Sequence, residues 1–263
     1  MHLFNGGRAA LLALYLTLTV ALAAIPSSKR FDLSKPSYNL FRSKSLHENR
    51  LRDGTGATSG DLCITQLDFS GKYLGYMHLN GFGHGVTFGA QGTRDGATYL
   101  WTEVEANGNG EHTAFIDQLA NRLVVRYQHK GGKHIAAFDL DAAARGDFAN
   151  PLVNFPQPVL DKFKSKVFQG YAAHGSYLYI MTGTSYEASD GEVNSQVASI
   201  DMNTGKIVQG PTLTNAGSSL PFREPEGMGV YKTKAGEVRF FLGFATGKRG
   251  DRRSSLFYKD ALI

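Results

Sequence analysis

Four polar residues recur down this chain, each followed by a small residue and then by an apolar, strand-type run: His84, His112, Gln169 and Glu226. Two imidazoles, an amide and a carboxylate brought to one axis could bind a hydroxylated ligand, a water cluster or a divalent ion. The competing role is mundane, since such groups often just hydrogen-bond neighbouring strands and water. The densest charged phrase is Arg223-Glu224-Pro225-Glu226. On an extended strand the two glutamates alternate by two and share a face, where they could act as acid and base or hold a cation. Arg223 can neutralise one of them, and a structural salt bridge is favoured over a catalytic pair. A hard cation such as calcium needs about six to eight oxygens, and the equivalent phrases lack the further Asp and Asn ligands. Trp101, Tyr171, Tyr177, Tyr179 and Tyr186 have the flat apolar faces and polar edges that suit sugar rings, although most strand aromatics pack between sheets. No Ser-His-Asp order, zinc spacing or phosphate-cradling glycine loop is present.

The elements that must position these residues are hairpins. After each polar phrase comes a second apolar run: Thr98 to Glu103, Arg122 to Tyr127, Tyr177 to Thr182 and Val238 to Phe244. A third run ends on Asp68, Asp139 or Asp201 at a turn, where a carboxylate accepts backbone N–H groups two residues on and the chain reverses into a fourth strand. Four antiparallel strands repeated at a period of tens of residues predict the blades of a β-propeller, with the first strand of each blade lining a shared axis. The aspartates are turn formers, not catalytic groups. Short stretches at Leu140 to Arg145 and Val159 to Lys164 read as connections between blades. The interval is 57 residues from His112 to Gln169 and again from Gln169 to Glu226, but only 28 from His84 to His112, so one outer hairpin is missing there.

Composition fits a folded β protein: 42% hydrophobic residues can fill a core, and 31 glycines against 8 prolines suit many tight turns. Residues 1–23 read as a signal peptide, with a basic start, the apolar run Ala9 to Val20 and a small-x-small cleavage pattern at Ala21-Leu22-Ala23. The run falls short of the roughly 20 residues of a spanning helix, so a secreted protein without a transmembrane anchor after cleavage is expected. Residues 24–60 read as a basic arm and 61–263 as the propeller domain. Cys63 is the single cysteine, so no intrachain disulfide can form, and it reads as core packing. The arm and a second basic cluster (Lys248, Arg249, Arg252, Arg253) underlie the net charge of +5 and favour anionic partners. For an exported protein these are wall polymers or membrane surfaces, not nucleic acid; the bland reading is a solvated arm and loop.

The ordered motifs GDLCITQLDFSGKYLGYMHLNGFGHGVTFG, TYLWTEVEA, RLVVRY, VFQGYAAHGSYLYIMTGT and FREPEGMGVY carry a resemblance. From about Phe31 to Tyr258 the chain resembles the propeller domain of proteins named teichoic acid biosynthesis protein C. It is also similar to the receptor-binding protein of staphylococcal podoviruses and, more distantly, to helveticin-type bacteriocins. The resemblance implies a five-bladed, all-β propeller associated with cell-wall glycopolymers. Measured against that pattern, the chain also skips an inner strand between Arg50 and Leu51, so parts of two blades are missing. Either coding segments are skipped or the ring is degenerate; both leave unpaired strand edges. The favoured function is a secreted, non-catalytic propeller that recognises a cell-wall or surface glycan through His84, His112, Gln169, Glu226, Glu224, Arg223, Trp101 and Tyr171, with no cofactor. The alternative is a propeller hydrolase or lyase using Glu224 and Glu226 with a divalent cation, a reading supported by similar Glu-Gly phrases in lactonase-like and phytase-like propellers.

Overall fold

The computed structural model describes residues 25–44, 62–82, 88–93, 95–102 and 112–263. The signal peptide and its cleavage point, the Arg50/Leu51 junction and His84 lie outside these residues, as does the side chain of His112. The described residues form five antiparallel sheets. Three have four strands. One comprises β6 (His112–Asp117), β7 (Arg122–His129), β8 (Gly132–Asp139) and β9 (Val153–Pro156) in simple meander order. The next comprises β10 (Phe168–His174), β11 (Tyr177–Thr182), β12 (Gln196–Asp201) and β13 (Lys206–Leu213). The last runs β14 (Glu224–Lys232), β15 (Val238–Lys248), β16 (Asp251–Lys259) and then β1 (Tyr38–Lys44), so the N-terminal strand closes the C-terminal sheet.

Two sheets are halves. Among the described residues, β2 (Leu62–Leu67) and β3 (Tyr73–Leu79) form an outer hairpin without an inner pair, and β4 (Phe88–Gly92) and β5 (Thr98–Thr102) form an inner hairpin without an outer pair. These are the two deficits read from the sequence. The physical consequence is visible in exposure: Leu74, Tyr76 and Met77 of β3, Phe88 of β4 and Tyr99 of β5 are large apolar side chains left open to solvent. Four of the sheets nevertheless follow one another through their innermost strands. β4 packs on β6, β6 on β10 and β10 on β14. The β2–β3 turn meets the last sheet through Phe69, whose ring centroid lies 5.0 Å from that of Tyr231. The chain is an incomplete five-bladed propeller.

Burial follows a strand's place in its blade. The second strand, β11, is buried along nearly its whole length because neighbouring sheets cover both faces, and it reads as an unbroken apolar run, Tyr-Leu-Tyr-Ile-Met. The outer strand β13 is covered on one face only, and its burial alternates residue by residue. The main core spans the three complete sheets and includes Val124, Ile135, Leu178, Ile180, Phe240 and Leu242. Each such side chain contributes about 1.5–3 kcal/mol on burial.

Residues 25–44, within the segment read as a basic arm, are part of this packing. Phe31 is fully buried, stacks at 5.3 Å on Phe240, and its backbone N–H donates to the Tyr179 hydroxyl at 2.9 Å. Arg30 and Ile263 exchange backbone hydrogen bonds at 2.9 and 2.8 Å, which ties the two ends of the described chain together. The Lys259 ammonium, almost wholly buried, donates to the carbonyls of Leu33 and Lys35, and burial lowers its pKa.

The turn aspartates behave as read. Asp68 Oδ1 accepts from the N–H groups of Ser70 and Lys72 at 2.8 and 2.9 Å, and Asp201 accepts from Asn203 N–H at 2.9 Å. Asp139 differs in detail: it N-caps a short helix, α1 (Leu140–Ala144), by accepting from Ala142 N–H at 2.8 Å. Because α1 joins β8 to β9 of the same sheet, the stretch from Leu140 is an excursion within a blade and not a connection between blades. The stretch from Val159 to Lys164 does join two blades, β9 to β10.

Candidate functional site

The innermost strands β4, β6, β10 and β14 surround a cleft of about 290 Å³. Its shape begins with backbone geometry. In β10 the pairing with β11 steps from Phe168↔Thr182 to Gly170↔Met181, which leaves Gln169 as an extra residue. In β14 the pairing steps from Pro225↔Phe244 to Gly227↔Gly243 and leaves Glu226 extra. Both polar residues are therefore β-bulges, which turn a side chain away from the regular pleat. The small residue that follows is explained by the same geometry: Gly170 and Gly227 have φ of +145° and +152°, a region closed to residues with a Cβ. A Cβ on Gly170 would also stand 3.2 Å from the Gly227 Cα, so the two strands touch backbone to backbone at this level. His112 breaks the equivalence. It is followed by Thr113, and β6 pairs with β7 in unbroken register from His112↔Tyr127 to Asp117↔Arg122.

Glu226 lines the cleft as an exposed residue, its carboxylate open to water on one side and enclosed by the cleft walls on the other. That enclosure, reinforced by the neighbouring Glu224 carboxylate, pushes its pKa up to about 7. Among the described residues no donor or cation pairs with it. Glu224 stands at the start of the same strand, half-buried, with Pro225 buried between the two. The bulge at Glu226 breaks the simple alternation expected from sequence, and of the two glutamates only Glu226 lines the cleft.

The remaining candidates separate. Gln169 is committed to its own sheet, its amide N–H donating to the Gly183 carbonyl at 2.8 Å. Tyr171 forms part of the cleft wall, but its side chain is almost wholly buried; its hydroxyl donates to the Thr113 carbonyl at 2.8 Å, with the Val124 carbonyl at 3.0 Å also in reach. It pins β10 to the neighbouring blade. Arg223 does not form the expected salt bridge with a glutamate. It is fully buried and donates to Ala216 O at 2.9 Å, Ser195 Oγ at 2.7 Å and Thr214 O at 2.7 Å, with its guanidinium 4.5 Å from the Phe244 ring centroid. The reason is its left-handed backbone, φ +47°, which precedes β14 and sends the side chain back under the loop after β13. Burial lowers its pKa. Trp101 packs beside Ile116, Leu123, Leu140 and Ala143 of the adjacent blade, and its indole N–H donates to Gln91 at 2.8 Å. Tyr179 and Tyr186 are likewise engaged, the latter donating to Ser218 O at 2.7 Å.

Sequence reasoning missed Phe88, Phe115, Gln118 and Met228, which also face the cleft. Met228 was within reach, since it lies two residues beyond Glu226 on one strand. Gln118 was not, because its amide is placed by a hydrogen bond to Ala90 O of the half blade. The basic hairpin between β15 and β16 lies at the end of the last sheet where β14 begins: Ala245 pairs with Glu224, and Gly247 N–H donates to Pro221 O at 3.0 Å. Of its cations, Arg252 sits over the Phe222 ring at 3.2 Å and Arg253 pairs with Asp251 at 3.1 Å, whereas Lys248 and Arg249 are exposed. No group of three or more His, Cys, Asp or Glu able to hold a metal occurs among the described residues. No helix among them is long and apolar enough to cross a membrane.

A family model described as "Phage 5-bladed beta propeller receptor binding platform domain" matches residues 107–258. No curated protein matches. Among solved structures, the chain is similar to a Bacteroides ovatus protein titled "Xyloglucan PUL GH43B". That match has 15% identity and a TM-score of 0.36, and covers 76% of this chain and 37% of that one. It is also similar to TolB from Acinetobacter baumannii, with 16% identity, a TM-score of 0.27, and coverage of 71% and 46% respectively. The chain thus spans less than half the length of either solved relative.

Proposed function

The chain belongs to the phage five-bladed β-propeller receptor-binding platform family, and from that premise we propose that it is an extracellular, non-catalytic recognition propeller whose ligand is a cell-wall glycopolymer or another surface carbohydrate. The observation that carries this reading is the axial cleft, lined by four innermost strands and holding a carboxylate, Glu226, that has no partner among the described residues. A pocket of mixed aromatic, aliphatic and backbone polar lining suits a sugar, whose faces are apolar and whose edges are hydroxylated. Lys248 and Arg249, exposed at the end where β14 begins, add a contact for the anionic groups of a wall polymer. The sequence resemblance to proteins named teichoic acid biosynthesis protein C supports the same ligand class, and the signal-peptide pattern read in residues 1–23 accords with secretion.

The hydrolase or lyase alternative rests on Glu224 and Glu226. One carboxylate with a raised pKa beside another is the pattern of an acid and base pair. Binding of the purified protein to cell walls and to a glycan array, with and without chelator, tests the proposal. Saturable binding without release of reducing ends is expected. Absence of binding to every wall polymer removes the recognition reading, and turnover that Glu226→Gln abolishes replaces it with the enzymatic one.

A further inference from the structure

Resting on that glycan-recognition reading, we infer that the axial cleft takes an ammonium group carried on the sugar, with Glu226 as its counter-charge. The lining has one ionisable carboxylate and, among the described residues, no basic side chain. An anionic substituent is therefore repelled from the cleft itself, whatever it does at Lys248 and Arg249. A carboxylate that lines the cleft with no donor or cation beside it among the described residues can be neutralised by a proton or compensated by a ligand that brings positive charge.

The identity of that charge follows from the other walls. A hard divalent ion requires about six oxygens, whereas the cleft offers this carboxylate, the Gln118 amide and strand backbone set among Phe88, Phe115, Ile116 and Met228. Gln118 is already donating to Ala90 O. An organic ammonium is served by the same lining, because it needs one carboxylate for charge, and its weakly hydrated carbon skeleton and its cation both gain from aromatic and thioether surface. The volume of about 290 Å³ has room for a single hexose unit. The glycines at 227 and 229 keep β14 bare of side chains, which leaves room for that ring beside Met228.

The test compares glucosamine with N-acetylglucosamine at pH 7, the two differing in whether the nitrogen is charged. The readout is the Met228 methyl resonance in ¹³C-methyl-methionine protein, assigned with Met228→Leu. Glucosamine is expected to shift that resonance and to bind at least tenfold more tightly than the N-acetyl sugar, and Glu226→Gln is expected to abolish the preference. Equal binding of the two sugars, tighter binding of the N-acetyl form, a preference that survives Glu226→Gln, or no Met228 shift with either sugar overturns the inference. The ligand-pair comparison in the unsubstituted protein decides it even if the variant folds poorly. Each of these failures leaves wall binding by the intact protein untouched, so it is separable from failure of the glycan reading, which shows as absent wall binding.

Discussion

Replacing Glu226 by Gln removes a charge without changing volume, so its effect on stability isolates the electrostatic state of the cleft. In the unfolded chain the carboxyl titrates near 4.5, and in the folded protein enclosure and Glu224 raise it to about 7. Between those values the folded state binds more protons than the unfolded state. The stabilisation from the protonated form is therefore complete below about pH 4.5 and lost as pH rises through about 7. The full rise, at about 1.4 kcal/mol per pH unit, sets an upper bound of about 3 kcal/mol. Water in the cleft screens the carboxylate, and about 1–2 kcal/mol remains after that discount. The isosteric amide carries none of this dependence. Glu226→Gln should thus match the parent protein near pH 4.5 and exceed it by about 2–6 °C in Tm at pH 8. Thermal denaturation of both proteins across pH 4.5–8 in constant ionic strength gives the difference curve. A flat curve would show a carboxylate that the cleft does not perturb, and a variant less stable than its parent at pH 8 would show one that is charged and stabilised by a partner; either result would sink the account of a Glu226 pushed toward neutrality by its site.

Other substitutions probe the frame around the cleft. Arg223→Met should lower stability by about 3–5 kcal/mol in chemical denaturation, since it strips three hydrogen bonds from buried acceptors; a loss below about 1 kcal/mol contradicts its structural role. Tyr171→Phe deletes the hydroxyl that joins β10 to the next blade and should cost about 1 kcal/mol, read as a lower urea midpoint at unchanged m. Gly170→Ala should be destabilising by about 1–3 kcal/mol, because φ of +145° and the Gly227 Cα both oppose a Cβ; a neutral result in thermal denaturation would discount the bulge geometry. Reversing the charge of Lys248 and Arg249 to Glu should weaken binding to anionic wall polymer at low salt and much less at high salt, measured by sedimentation with purified walls; a salt-independent loss would assign these residues another role.

The amino-acid sequence by itself determined the repeat. Hairpin periodicity, turn aspartates and the intervals of 57 and 28 residues specify four-stranded blades and locate the missing outer hairpin, because strand alternation and turn chemistry are local properties that neighbouring residues impose on one another; the deficit at Arg50 and Leu51 showed only against the family pattern. It also marked Glu226, and the glycine behind it, as unusual. Only the tertiary structure decided what these residues do. Arg223 and Glu226 are three positions apart, yet a left-handed backbone at one and a bulge at the other send them to a buried loop and to the axial cleft. Likewise β1 seemed part of a basic arm until its pairing with β16 across the length of the chain placed it in a blade. Partners separated by some two hundred residues leave no periodic trace, and the burial that raises the Glu226 pKa is a sum over all the blades that converge on it, which no single segment encodes.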